Sequence, residues 1–163
     1  MKTLLIATLC TAVLIAMSCN NAVEYTADEL TVSGLAGQPG YAWFNQEVAA
    51  YTPTVANINA IKAQYAAQPF NTLIYVNPSC TCNGTQKHFP RLYSTLKAAG
   101  IPDSSITIYS MHNAATKQPY SAQYPVTALP TFYFINGSAY TRKLEPPSDT
   151  AFHVDSIMVS TLK

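Results

Sequence analysis

Cys80 and Cys82 are the residues whose type and spacing could most directly do chemistry, because they stand one residue apart on either side of Thr81. Two thiols this close can form a redox-active disulfide, can supply two ligands of a metal site, or can be neighbours without a shared role. A thiol reacts as its thiolate, and its ordinary pKa is about 8.5. A reactive cysteine therefore needs surroundings that stabilise negative charge.

The residues around the cysteines predict a strand that ends just before them and a helix that begins just after them. Asn71–Val76 is a short, nearly continuous apolar run, typical of a central strand covered on both faces. Asn83 followed by Gln86 is a capping-box pattern that predicts the start of a helix. The first turn of a helix has unpaired N–H groups and a positive dipole end, which stabilise a thiolate. We therefore expect Cys80 to be the attacking thiol and Cys82 the resolving thiol.

The order of the remaining elements predicts an α/β fold with a mixed central sheet and helices on both faces. Pro90 lies inside the helix after the cysteines and is expected to kink it. A polar loop is expected over residues 112–128, before the last two strands, which pair as a hairpin. The predicted elements are helices at 41–51, 54–68 and 83–100, strands at 71–76, 104–111, 129–137 and 138–145, and a last helix over 148–163 with Ser148 as its cap.

This arrangement resembles the thioredoxin superfamily over residues 41–163. A buried strand leads into a cysteine motif that opens a helix, and Pro130 in "ALPTFYFING" begins a later strand 50 residues after Cys80. The resemblance implies that Pro130 is cis and faces the cysteines across the site. It also implies thiol–disulfide exchange with client proteins at Cys80 and Cys82, in a substrate groove bordered by Thr81, Leu129 and Pro130. "FPRLYSTL" and "RKLEPP" look like an exported bacterial branch of the family.

The motif departs from the usual pattern of that family in three places. One residue instead of two separates the cysteines, so a disulfide would close a small ring that few backbone conformations allow. Strain raises the reduction potential, so we expect a role closer to isomerase or oxidase than to strong reductant. Ser79 stands where the family commonly has an aromatic residue, and Ile74 stands where many thioredoxins bury a proton-shuttling acid. Without that acid, the second step of exchange would rely on water or a neighbouring group.

Residues 1–18 predict a cleaved export signal. Lys2 precedes an apolar run over residues 4–17, which is shorter than the roughly 20 residues that a membrane-spanning helix needs. "IAMSCN" resembles a bacterial lipobox, in which Cys19 would carry the lipid. The alternative is cleavage by an ordinary signal peptidase, which would leave Cys19 as a free thiol. We expect an exported lipoprotein that is anchored to the membrane by its lipid and faces the periplasm.

The predicted export signal also determines how the chain is divided and how many cysteines remain in the folded domain. Residues 19–40 carry glycine, proline and polar residues and are interpreted as a lipid-anchored tether with one short strand at 30–32, and residues 41–163 as the folded domain. Cys10 would leave with the signal, so only Cys80 and Cys82 would remain in that domain. Exported compartments permit disulfides, which favours a bonded pair.

Other functions fit the same residues. Soft thiolates bind Cu(I), and Cys80 and Cys82 could share a copper ion with His88, His112 or Met111, among which His112 is the better placed because it follows a strand end. A groove beside Pro130 could also hold an extended peptide without chemistry. The simplest alternative is a structural disulfide with no further role.

The composition narrows the class of partner. The formal net charge is +1 and 10% of the residues are charged, which indicates neither nucleic acid nor an anionic membrane surface as a partner. Exchange at a cysteine pair requires no cofactor and no metal. The expected partners are the thiols and disulfides of client proteins. We also expect the protein to be a monomer.

Overall fold

The computed structural model describes residues 24–146 and 153–163. The predicted export signal, Cys19 and the predicted cap Ser148 lie outside these residues. Within them, no helix has the length and the apolar character needed to cross a membrane. The elements are β1 (Asp28–Leu30), α1 (Val32–Leu35), α2 (Phe44–Ala49), α3 (Val55–Ala67), β2 (Asn71–Val76), a π-helical turn (Gly84–His88), α4 (Phe89–Ala98), a 3-10 turn (Asp103–Ser105), β3 (Ile106–Ser110), β4 (Thr131–Asn136), β5 (Tyr140–Leu144) and α5 (Val154–Thr161).

The strands form one mixed sheet in the order β1-β3-β2-β4-β5. β2 and β3 run parallel, with Ile74 opposite Ile108, and every other neighbouring pair is antiparallel. β2 is exposed only at its first residue, Asn71, because it is flanked by strands on both sides and covered on both faces. The predicted α/β class with a mixed central sheet is confirmed.

The helices pack on one face of this sheet. Successive side chains of a strand alternate between faces, so Ile74 and Val76 of β2 point to the helical side while Leu73 and Tyr75 point away. Leu92 and Leu96 of α4 are completely buried there, which fixes the helix that follows the cysteines. Burying a leucine side chain stabilises the fold by about 1.5–3 kcal/mol. The buried residues of this core include Phe44, Ile61, Ile74, Val76, Leu92, Leu96, Ile108, Phe132, Phe134, Val154 and Met158.

A loop, not a helix, covers the opposite face in the described part of the chain, which differs from the expectation of helices on both faces. Residues 112–128 cross this face as a loop, as predicted. Pro119 and Pro125 lie within the segment, and each removes a backbone N–H that a crossover helix would need. The cluster on this face contains Leu73, Tyr75, Tyr109, Met111 and Tyr133, with Tyr124, Val126 and Leu129 packed against it.

The fold begins before residue 41, within the segment expected to be a tether. β1 pairs antiparallel with β3, and Leu30 lies opposite Ile108. The strand predicted at residues 30–32 therefore lies two residues earlier. Leu35 of α1 is completely buried in the helical core. A three-residue edge strand is too short to produce a period in the sequence, so only its partner strand reveals it.

The helix after the cysteines starts with a π-helical turn instead of the predicted capping box. Asn83 has helical backbone angles of φ −57° and ψ −35°, and its side chain makes no capping hydrogen bond. The N–H of Phe89 donates to the carbonyl of Gly84, a five-residue step. Pro90 is the second residue of α4 and lies within the same helical stretch, and because it has no N–H it cannot continue the hydrogen bonds of the π-helical turn. A π-helical turn therefore lies next to the position at which Pro90 was expected to kink the helix.

Candidate active site

A turn at residues 77–79 holds the cysteines at the carboxyl end of β2. The side chain of Asn77 makes two hydrogen bonds there: its Nδ2 donates to the carbonyl of His112 at 2.9 Å, and its Oδ1 accepts from the N–H of Ser79 at 2.9 Å. The N–H of Cys80 donates to the carbonyl of Asn77 at 3.2 Å. Asn77 thus ties the turn to the end of β3. Sequence reasoning missed this residue, although Asn-Pro-Ser after a strand is a turn pattern that could have identified it.

Cys80 and Cys82 form a disulfide, with the two sulfurs 2.09 Å and the two Cα atoms 5.2 Å apart. Both cysteines are half-buried and Thr81 between them is exposed. The backbone N–H of Cys82 points at Cys80 Sγ, 3.3 Å away. The hydroxyl of Thr85 lies 3.6 Å from Cys82 Sγ and is the donor, because a disulfide sulfur has no proton. An N–H aimed at a sulfur favours the charged form of that sulfur once the disulfide opens.

Pro130 lies against the start of the helix that follows the cysteines. The Leu129–Pro130 peptide bond is cis. Gly84, two residues after Cys82, is buried and lies against this proline: a Cβ on Gly84 would lie 2.5 Å from Pro130 Cδ. Leu129 is half-buried and packs against the tyrosine cluster of the loop-covered face. Two segments that are far apart in the chain therefore meet beside the cysteine pair, and Gly84, which sequence reasoning did not single out, allows their contact.

A Gly84→Ala variant is expected to lower the free energy of unfolding by about 1–3 kcal/mol, because the added methyl group would overlap the Pro130 ring. This loss should appear even though alanine has the higher helix propensity. Urea denaturation measures it. Gly37→Ala is the matched control, since its Cβ would meet only the carbonyl of Gly34 at an ordinary 3.7 Å. Equal stabilities for the two variants would show that Pro130 is not in close contact with Gly84.

The residues considered as additional copper ligands lie in different environments. His88 is completely buried, Met111 is buried in the tyrosine cluster, and His112 is exposed. The ring of His112 stacks on Tyr25, with the ring centroids 4.4 Å apart. In residues 24–146 and 153–163, no group of three or more His, Cys, Asp or Glu side chains is arranged to hold a metal ion.

An ion pair and a small cleft lie near the disulfide. Lys87 in the π-helical turn pairs with Glu47 of α2, and both side chains are partly exposed, so the pair contributes at most about 1 kcal/mol. A cleft of about 190 Å³ opens beside the turn that precedes Cys80, and Tyr25, Ser79 and His112 are among the residues that line it. The site is therefore open to solvent on this side.

Comparisons with known proteins add no relative. No family model, no curated protein and no solved structure matches this chain. The structure itself shows a mixed α/β fold in which a five-stranded sheet carries the Cys80–Cys82 disulfide at the carboxyl end of its central strand, an arrangement compatible with a thioredoxin-like fold.

Proposed function

We propose that this protein is an exported, lipid-anchored member of the thioredoxin superfamily that exchanges thiols and disulfides in client proteins through Cys80 and Cys82. The observation that carries the proposal is the position of the disulfide. It lies at the carboxyl end of the central strand, it is partly exposed, and the cis Pro130 lies against Gly84 two residues away. Open α/β sheets have their binding and catalytic sites at this end of the strands.

The chemistry begins with attack on Cys80. A client thiolate attacks Cys80 Sγ, the bond between Cys80 and Cys82 breaks, and Cys82 leaves as a thiolate. The client is then held by a mixed disulfide at Cys80. A second client thiolate attacks the client sulfur of that bond and releases the Cys80 thiolate. The client has gained a disulfide and lost two electrons, and the cysteine pair has taken them up as a dithiol. In the reverse direction, the Cys80 thiolate opens a client disulfide and Cys82 resolves the mixed disulfide.

The hydrogen bonds at the disulfide support these separate roles. The N–H of Cys82 would stabilise the Cys80 thiolate, since it already points at that sulfur. Ile74, at the position of the usual buried acid, is completely buried in the apolar core. The proton that Cys82 gains or loses must therefore pass through water or through the nearby Thr85 hydroxyl. This favours slow or specialised exchange.

We assign client binding to the surface beside Pro130. Pro130 lies against Gly84. Thr81, three residues before Gly84, is exposed, and Leu129, next to Pro130, is half-buried. An extended client segment would pair its backbone with the chain next to the cis proline, as in β-strand addition. The pair needs neither cofactor nor metal for this exchange.

The test is the reduction potential of the Cys80–Cys82 pair, measured by equilibration with glutathione and alkylation of the free thiols. We expect a value closer to that of protein disulfide isomerase, about −180 mV, than to that of thioredoxin, about −270 mV. Refolding of scrambled ribonuclease should proceed faster with the protein than without it. A potential below about −300 mV, the range of structural disulfides, together with no turnover, would favour a non-catalytic peptide-binding module instead.

A further inference from the structure

A second cleft lies at the other end of the sheet. It has a volume of about 690 Å³, within the range of small-molecule sites. It opens where β2 and β3 begin and β4 ends, on the loop-covered face. The cysteines follow the opposite end of β2, which is six residues long, so the two sites are roughly 20 Å apart at about 3.3 Å per residue. The lining residues are Asn71, Leu73, Ser104, Ser105, Thr107, Tyr120, Gln123, Tyr124, Ile135, Gly137, Ser138 and Thr141.

The lining combines aromatic rings with neutral hydrogen-bonding groups. Tyr120 is 40% exposed, and its ring centroid lies 5.9 Å from that of the half-buried Tyr124. The amides of Asn71 and Gln123 and several serine and threonine hydroxyls surround these rings. Among the described residues, none that lines the cleft is charged. A charged ligand would lose hydration here without gaining a partner of opposite charge, so the cleft favours a neutral one.

The two tyrosines are held in place by the buried amide of Gln118, which is 6% exposed. Its Oε1 accepts from the N–H of Tyr120 at 2.7 Å and from the hydroxyl of Tyr75 at 3.3 Å, and its Nε2 donates to the carbonyl of Tyr124 at 3.1 Å. The N–H of Tyr124 in turn donates to the carbonyl of Tyr120 at 2.8 Å. A buried polar group bonded at each end of a turn makes that turn rigid. The backbone that carries the aromatic pair is therefore preorganised, which lowers the entropy cost of binding.

We infer that this cleft binds a neutral, hydroxyl-rich ligand, specifically an oligosaccharide without charged groups. The faces of Tyr120 and Tyr124 can contact the apolar C–H face of a sugar ring, while the amides and hydroxyls around them bond to its hydroxyl groups. An extended peptide fits less well, because the backbones of β2, β3 and β4 are already paired inside the sheet and offer no free edge. This site is independent of the disulfide exchange proposed above.

The experiment uses the full chain, labelled with ¹⁵N and purified in a detergent without a sugar head group. Maltohexaose, cellohexaose, mannohexaose and chitohexaose are titrated in turn, and amide resonances and calorimetric heats are followed. At least one of them should shift the resonances of Tyr120, Gln123 and Tyr124. Tyr120→Ala should weaken its binding at least about tenfold, which corresponds to about 1.4 kcal/mol. Gln123→Ala, an exposed change that leaves the fold intact, should weaken binding several-fold.

Two controls separate this site from the cysteine site. Tyr25 is 48% exposed and lies beside the turn that precedes Cys80, so Tyr25→Ala removes a tyrosine of similar exposure and should bind the sugar normally. Cys80→Ser should also bind it normally, whether or not the protein exchanges disulfides. The inference is overturned if no hexasaccharide shifts the cleft resonances, if Tyr120→Ala and Gln123→Ala both bind as tightly as the wild type, or if only a neutral Gly/Ser peptide binds.

Discussion

A Cys80→Ser variant is expected to lose thiol–disulfide exchange completely, because the substitution removes the sulfur that we propose bonds to the client. A serine hydroxyl cannot form the mixed disulfide through which the electrons pass. Turnover of scrambled ribonuclease or of insulin should fall to the uncatalysed background, a loss of orders of magnitude and not of a few-fold. The fold should remain, since Cys80 is half-buried at the surface and not part of the core.

Cys82→Ser is the matched control for this loss. It keeps the attacking sulfur and the backbone N–H at position 82, but it removes the group that resolves the mixed disulfide. A complex of client and protein joined at Cys80 should therefore accumulate and be visible by intact mass without reductant. The two single-cysteine variants should also differ in alkylation, with the thiolate of Cys80 persisting to lower pH than that of Cys82. Identical alkylation profiles and no trapped client would refute the assigned roles.

An Asp155→Ala variant is expected to lower the free energy of unfolding by about 3 kcal/mol, the largest stability effect that we expect from one side chain. The Asp155 carboxylate is 2% exposed and accepts hydrogen bonds from the hydroxyl of Tyr51, the N–H and hydroxyl of Thr54, and the amide of Asn57, at 2.8–3.0 Å. It joins the start of α5 to the start of α3. Removing it leaves these donors without their acceptor. Urea denaturation near neutral pH measures the loss.

The same carboxylate makes stability depend on pH. Burial alone would raise the pKa of Asp155, but the hydrogen bonds from Asn57, Thr54 and Tyr51 outweigh burial and hold the pKa well below its usual range. A group with a lowered pKa in the folded state stabilises the fold above its unfolded pKa, about 3.9 for aspartate, and loses this contribution as the pH falls further. The difference in stability between the wild type and Asp155→Ala should therefore be constant near neutral pH and shrink progressively as the pH falls below about 5.

Asp103→Asn is the control for a carboxylate that is paired but exposed. Asp103 lies 3.0 Å from Lys97 in an ion pair of which both side chains are largely exposed, so this substitution should change stability by less than about 1 kcal/mol. If Asp155→Ala costs no more than Asp103→Asn, the carboxylate does not join the two helices as described.

The immediate surroundings of the cysteines were predictable because they are encoded by neighbouring residues. The apolar run Asn71–Val76 predicted β2. The helix predicted over residues 83–100 corresponds to the π-helical turn and α4 together, residues 84–98, with at most two residues of error at each end. The prediction of a capping box at Asn83 was wrong because it relied on local sequence alone. A capping pattern describes only four residues, and here the π-helical turn and the contact of Gly84 with Pro130 decide how the helix begins.

Contacts between distant parts of the chain were not predictable in the same way. Asp155 bonds to Tyr51 across 104 positions, and β1 is identified only by its pairing with β3. The sequence around these residues has no hydrophobic periodicity and no motif that would predict either contact. The cleft of about 690 Å³ is a further example, because Leu73, Tyr120 and Ile135 come together only when the sheet and its covering loop have formed.

By itself, the sequence determined the α/β class, the central strand and the helix after the cysteines, since each depends on the local hydrophobic period, and it placed Cys80 and Cys82 between that strand and that helix. Export and lipidation at Cys19 remain predictions from the first 19 residues. Only the tertiary structure decided that Pro130 lies against Gly84, that a loop covers the second face, and that a neutral cleft opens far from the disulfide. These features depend on tertiary packing, because they form only when residues that are distant in the chain are buried against one another.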